Sequence, residues 1–177
     1  MQPIRKAEII LRDYSDEEHF IYTQESLRRF FPEMTNDAYF KLLSRIVKAG
    51  LLTRVCKGVY LYPYVTFPSS KVLSYVAGIL RADYFSYLSL ESVLSAESII
   101  SQQLMNWITV VTNGREGIIK CGTYGTIEFV HKKIYQDEIM DHLIFDTWTG
   151  MFIADSELAI KDMKQCRRHL VSLIREE

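Results

Sequence analysis

Between Asp37 and Asp83 the chain carries Lys41, Arg45, Lys48, Arg54, Lys57, Lys71 and Arg81 and no acidic residue. Cations without an interleaved carboxylate suit anionic partners. Lysine and arginine neutralise phosphates, and arginine offers paired donors to guanine edges. A charged stripe on a single amphipathic helix is most often solvated surface. Two features favour contact with DNA here. A solvated helix usually mixes signs to gain i,i+4 pairs, and this stretch does not after Asp37. The basic residues also continue beyond the helix into the adjoining hairpin. Arg28 and Arg29 lie upstream; Glu25 and Glu33 beside them make ordinary surface as good a reading as phosphate contact.

Catalytic chemistry is not evident. His19, His131, His142 and His169 have no partners at metal-ligand spacing, and no H-E-x-x-H or C-x-x-C occurs. His131 reads as a strand residue at the edge of a core. No G-x-S-x-G elbow, P-loop or G-x-G-x-x-G is present. Asp137, Glu138 and Asp141 read as a charged helix start, and no paired aspartates follow a glycine-serine turn to hold Mg²⁺. Cys56 beside Lys57 reads as a small hairpin residue. No catalytic residue, cofactor or metal is therefore expected. A deep pocket gathering Asp137, Glu138 and His142 would reopen the enzyme reading.

The whole chain, 177 residues with a formal charge of −1, looks neutral. The sum conceals two halves. Residues 1–66 hold 10 basic and 8 acidic side chains, whereas residues 67–177 hold 11 and 14. Three widely spaced cysteines, Cys56, Cys121 and Cys166, suggest neither a disulfide framework nor a zinc site and fit a reducing cytoplasm. No apolar run is long enough for a membrane span, and the stretch Met1-Gln-Pro-Ile-Arg-Lys lacks the apolar run expected of a signal peptide.

The elements needed to position the cations can be read in order. Pro3 opens a helix to about Arg12. His19 to Tyr22 is a short strand-like run. Thr23 caps a helix that Pro32 ends. Thr35-Asn36-Asp37 caps a third helix, which Gly50 closes. On a wheel of about 100° per residue with Phe40 at zero, Tyr39, Leu42, Leu43, Ile46 and Val47 occupy roughly 200° to 340°. Lys41, Arg45 and Lys48 occupy roughly 80° to 140°. Two β-rich runs around Cys56-Lys57-Gly58 then form a hairpin. Three helices and a hairpin are the order of a winged helix-turn-helix, whose third helix enters the major groove. The predicted organisation is α+β: a winged helix-turn-helix domain at residues 1–66, and an α+β domain at 67–177 with a small, mainly antiparallel sheet. Helices are expected over Ser70–Arg81, Ser89–Ser98 and from Asp155 or Ser156 to about Ile174, and strands over Trp107–Thr112, Ile118–Cys121 and Thr126–His131.

Three segments together resemble the AbiEi family, the antitoxins of type IV toxin–antitoxin (abortive infection) systems. The first is SRIVKAGLLTRVCKGVYL, Ser44 to Leu61, similar to that family's helix end and wing. The second is YFSYLSLESVL, Tyr84 to Leu94, followed by Ile99–Gln102 and Ile108–Thr112; Val93 replaces the usual alanine, and Ser98 stands where glycine is common. The third is IADSELAIKD, Ile153 to Asp162, in which Ser156 replaces a proline and Lys161 a leucine. The resemblance implies a DNA-binding autorepressor that recognises inverted repeats in its own promoter, as a dimer or cooperative pair. It implies a second half that counters a nucleotidyltransferase toxin, without a stable complex, in phage defence. It supports Lys41, Arg45, Lys48, Arg54 and Lys57 as DNA contacts, with Asn36 and Ser44 able to read base edges or phosphates. The blocks Ser89–Leu94 and Glu157–Asp162 read as fold-determining. The alternative is a winged-helix protein-interaction module, or a general regulator without an antitoxin role.

Overall fold

The computed structural model describes residues 2–101 and 106–168. The chain divides into two compact units, Met1–Ser69 and the remainder from Ser70. Together they make an α+β protein.

The first unit contains helices α1 (Pro3–Tyr14), α2 (Gln24–Arg28) and α3 (Asn36–Lys48), with strands β1 (Ile21–Thr23), β2 (Thr53–Cys56) and β3 (Val59–Leu61). The strands form an antiparallel sheet in the order β1-β3-β2. Thr23 and Ser26 cap α2 reciprocally, each side chain accepting from the other's backbone amide. The helix ends sooner than the expected Phe31. The Arg28 guanidinium donates to the carbonyls of Phe31 and Met34, drawing the chain into a turn around Pro32. The inner face of α3 buries Tyr39, Leu42, Leu43 and Ile46 against Ala7 and Leu11 of α1. Each such aliphatic side chain contributes roughly 1.5–3 kcal/mol by leaving water.

A 3₁₀ turn (Ser69–Lys71) at the boundary leads into α4 (Val72–Leu80) of the second unit, so the helix begins later than Ser70. Strands β4 (Ser86–Leu88), β5 (Trp107–Thr112), β6 (Gly117–Lys120), β7 (Thr126–His131), β8 (Leu143–Asp146) and β9 (Met151–Ala154) form one sheet in the order β6-β7-β5-β4-β9-β8. The sheet is larger than expected and mixed, with three antiparallel and two parallel pairings. The β6–β7 hairpin returns β7 parallel to β5, and β4 lies parallel to β9. Helix α5 (Glu91–Ala96) is shorter than the predicted segment, and α6 (Ser156–Gln165) is capped by the Asp155 carboxylate, which accepts from the Leu158 amide. Helix α6 ends at Gln165. Arg167, with φ +55, and the bonds Arg168 N to Met163 O and Arg167 N to Lys164 O close it as a Schellman motif. The expected continuation to about Ile174 lies beyond the described residues, as do Gln102 and His169. The core gathers Tyr87, Leu90, Leu94, Val111, Leu158 and Met163. No helix among the described residues is long and apolar enough to cross a membrane.

Candidate nucleic-acid interface

Helix α3 is fixed at both ends and along its inner face. Thr35 caps its N-terminus. The Tyr39 hydroxyl donates to Gln24 O at 2.6 Å, tying α3 to the start of α2, and burial pushes its pKa up to about 12. The Arg28 guanidinium lies 5.2 Å from the Tyr39 ring centre. At the other end Gly50 adopts φ +74, its amide bonds Val47 O and the Leu51 amide bonds Ile46 O, a Schellman closure that favours glycine at this position. The Tyr64 hydroxyl donates to Gly50 O.

The hairpin is equally constrained. Gly58, at φ +78, turns the chain, and its carbonyl accepts from the Gln24 amide at 2.8 Å. The register slips between Arg54 and Cys56, a bulge that leaves Arg54 opposite Tyr60. Arg54 Nε donates to Cys56 O at 3.4 Å, which restrains the guanidinium on the outer face. Cys56 is buried and so does not offer its thiol to solvent.

Asn36, Lys41, Ser44, Arg45, Lys48, Arg54 and Lys57 are all exposed on this frame. The ion pairs of the first unit join Arg5 to Glu8, Lys6 to Glu33, Arg12 to Asp13 and His19 to Asp16. None of the five cations on α3 and the hairpin pairs with a carboxylate among the described residues. Ser44 spends its proton on Phe40 O, at 3.0 Å, which leaves its oxygen as an acceptor. Asn36 occupies the first turn of α3. A groove of about 340 Å³ runs between α3 and the hairpin, with Phe40, Ser44, Lys48 and Arg54 at its rim and Leu43, Val47 and Tyr60 within.

The other basic residues divide differently from their sequence grouping. Arg28 is committed to the α2–α3 turn, so it serves structure rather than phosphate. Lys71 and Arg81 belong to the second unit and work internally there. Lys71 pairs with Asp146 at 3.0 Å. Arg81 donates to Arg115 O and stacks 3.9 Å from the centre of the Phe129 ring. The acid-free span thus resolves into five solvent-facing cations on the first unit and two used for packing in the second.

The remaining titratable residues are dispersed. His19 meets Asp16, His131 meets the Gly114 carbonyl and His142 meets Asp155. Asp137, Glu138 and Asp141 sit in two successive 3₁₀ turns, not at the start of an α-helix. A small cavity of about 140 Å³ borders Glu138 together with Lys132, Lys133 and Lys161, and neither Asp137 nor His142 lines it. Among the described residues no group of three His, Cys, Asp or Glu side chains is placed to hold a metal ion.

Sequence reasoning assigned no role to two residues. Phe40 stands between the apolar and basic arcs of the wheel, a signal of partial exposure. Tyr60 lines the groove from β3, opposite Arg54, a cross-strand pairing that the local pattern does not reveal. No family model matches the chain, and no curated protein matches it.

Proposed function

We propose that the first unit is a winged helix-turn-helix that binds duplex DNA, with α3 in the major groove and the β2–β3 hairpin on the flanking backbone. The observation that carries this reading is the solvent-facing set Lys41, Arg45, Lys48, Arg54 and Lys57, none paired with a carboxylate among the described residues, on two elements joined by one groove. The element order and the β1-β3-β2 sheet support it.

The fuller proposal is a cytoplasmic autorepressor and antitoxin of a type IV toxin–antitoxin system, countering a nucleotidyltransferase toxin. Its support is the three AbiEi-like segments, two of which meet in the second unit: Ser89 of the second is hydrogen-bonded to Asp162 of the third. Ser98 adds to this, because it takes φ +59 at the place where that family commonly has glycine.

The test is binding to its own promoter as a function of salt. Five phosphate contacts give a log–log slope of roughly −4 per protomer, at about −0.9 per neutralised phosphate. A flat salt response, or equal binding to random duplex, removes the DNA reading. For the antitoxin role, the neighbouring gene should encode a nucleotidyltransferase, and co-expression with it should restore growth. Absence of such a neighbouring gene removes that role.

A second reading, a protein-interaction module, is favoured by one observation. Ile144, Phe145 and Trp148 expose large apolar surface on and beside the edge strand β8. A partner that co-purifies through nuclease treatment, with no promoter binding, would select it.

A further inference from the structure

We propose that Phe40 reads sequence in this interface by taking the C5-methyl group of a thymine at one position of the bound duplex; the inference rests on the DNA reading above. Phe40 is 46% exposed on α3, although its inner neighbours Tyr39, Leu42 and Leu43 are buried. Its neighbours on the outer face are Asp37, Lys41 and Ser44, all exposed. An aromatic side chain belonging to a protein-docking patch has apolar neighbours at the surface. Phe40 is instead the one large apolar side chain exposed on α3, bordered on the outer face by charges and a hydroxyl, with Leu43, Val47 and Tyr60 lower in the groove beside it.

That pattern matches one surface in particular. The major groove presents acceptors, amino donors, flanking phosphates and a single apolar feature, the thymine methyl. Phe40 lies at the rim of the groove between α3 and the hairpin, and Lys48 and Arg54 on the same rim supply positive charge for the adjoining backbone. Its ring is backed by Tyr39, 5.7 Å between centroids, so the aromatic edge is held rather than free to fold away. Ser44, one turn on, has already given its proton to Phe40 O and so cannot donate to a base or phosphate in this arrangement. Ser44 therefore offers a base only an acceptor, and the ring is the one apolar group this part of the helix presents to a thymine methyl.

The experiment uses the full chain and a duplex of its own promoter in which each thymine is replaced singly by deoxyuridine, which removes only the methyl. Wild type should lose roughly fourfold in affinity at one position per half-site, the factor that corresponds to one buried methyl group. Phe40→Ala should bind the unmodified promoter about fourfold more weakly and be indifferent to deoxyuridine at that position. Phe40→Leu should restore part of the methyl sensitivity. Circular dichroism and thermal melting confirm that the variants fold. If Phe40→Ala retains every deoxyuridine penalty of the wild type, whether or not its overall affinity drops, the assignment of Phe40 is overturned, while a steep salt slope keeps the DNA reading. If wild type shows no preference for the promoter, the DNA reading fails and this inference fails with it.

Discussion

The Ser89 hydroxyl donates to Asp162 Oδ2 at 2.7 Å, and both residues are fully buried. The Tyr87 hydroxyl donates to the same oxygen at 3.0 Å, and Lys132 Nζ pairs with Oδ1. Strand β4, helix α6 and the residue after β7 are thereby joined through one carboxylate. Burial, with the Asp162 charge beside it, raises the Tyr87 hydroxyl pKa well above its ordinary value, which keeps the hydroxyl a donor. Removing Lys132 strands a buried negative charge, so Lys132→Met should cost about 3–5 kcal/mol. Ser89→Ala removes one neutral donor and should cost about 1–3 kcal/mol. Urea denaturation gives both values, and the order Lys132→Met above Ser89→Ala is the decisive feature.

His142 and Asp155 form a second tie, Nδ1 to Oδ2 at 2.7 Å, while the other Asp155 oxygen caps α6. The hydrogen bond and then the charge of Asp155 raise the His142 pKa. Burial alone would raise Asp155, but the Leu158 amide and His142 outweigh it and hold the carboxyl below its usual range. The signs differ. A raised histidine stabilises below its unfolded pKa and loses that contribution as pH rises through the folded value. A depressed aspartate stabilises above its unfolded pKa and loses it as pH falls through the folded value. The pair is therefore strongest between roughly pH 4 and 6.5, the unfolded values of the two groups. The gap in urea midpoint between wild type and His142→Ala should be widest there and close in alkaline buffer. A gap that stays constant with pH would mean that His142 acts by packing alone.

Ser98 takes φ +59 at the end of α5, where Ile99 N bonds Leu94 O and Ser98 N bonds Ser95 O. This Schellman geometry costs an L-residue roughly 1–2 kcal/mol, which glycine avoids, though glycine loses more entropy on folding. Ser98→Gly should therefore stabilise by about 0.5 kcal/mol, a rise in Tm of roughly 1–2 °C by calorimetry. Ser98→Val should lower Tm, because a β-branched residue tolerates this conformation least.

Much of the first unit was legible because its signals are local. Thr23, Thr35 and Gly50 mark helix ends through their own capping chemistry, and the apolar arc of α3 follows from its period. The exposed positions of Lys41, Arg45 and Lys48 follow from the same period. The fate of Arg28, Lys71 and Arg81 was not legible. A guanidinium that caps a carbonyl and one that faces solvent look alike in sequence, and only tertiary partners separate them. In the second unit β4, β8 and β9 were not legible as strands: Leu143-Ile144-Phe145 and Met151-Phe152-Ile153 are continuous apolar runs rather than alternating ones, and β4 is only three residues inside an aromatic-rich stretch. The mixed strand order depends on pairings between distant segments, such as Tyr87 with Phe152, that no local pattern encodes. Phe40 was visible only as a residue between two arcs.

The division of the cations by role gives the last prediction. Lys57 sits on a turn held by the Gly58 carbonyl to the Gln24 amide, so its ammonium is presented from a fixed base. It should touch backbone: Lys57→Ala should weaken binding equally for all sequences and reduce the salt slope by about one. Lys41 and Arg45, near the middle of α3, lie where base edges are reached. Lys41→Ala and Arg45→Ala should each weaken promoter binding, and the one that relaxes preference at a single base pair is the groove reader. Arg28→Ala is the contrasting case. It should destabilise the fold by roughly 1.5–3 kcal/mol through its lost charged hydrogen bonds. Below its melting temperature it should leave the salt slope unchanged. Melting curves and salt titrations on the same four variants separate the two roles. An Arg28→Ala protein with wild-type stability and a reduced slope would reverse the assignment and return Arg28 to the DNA-facing set.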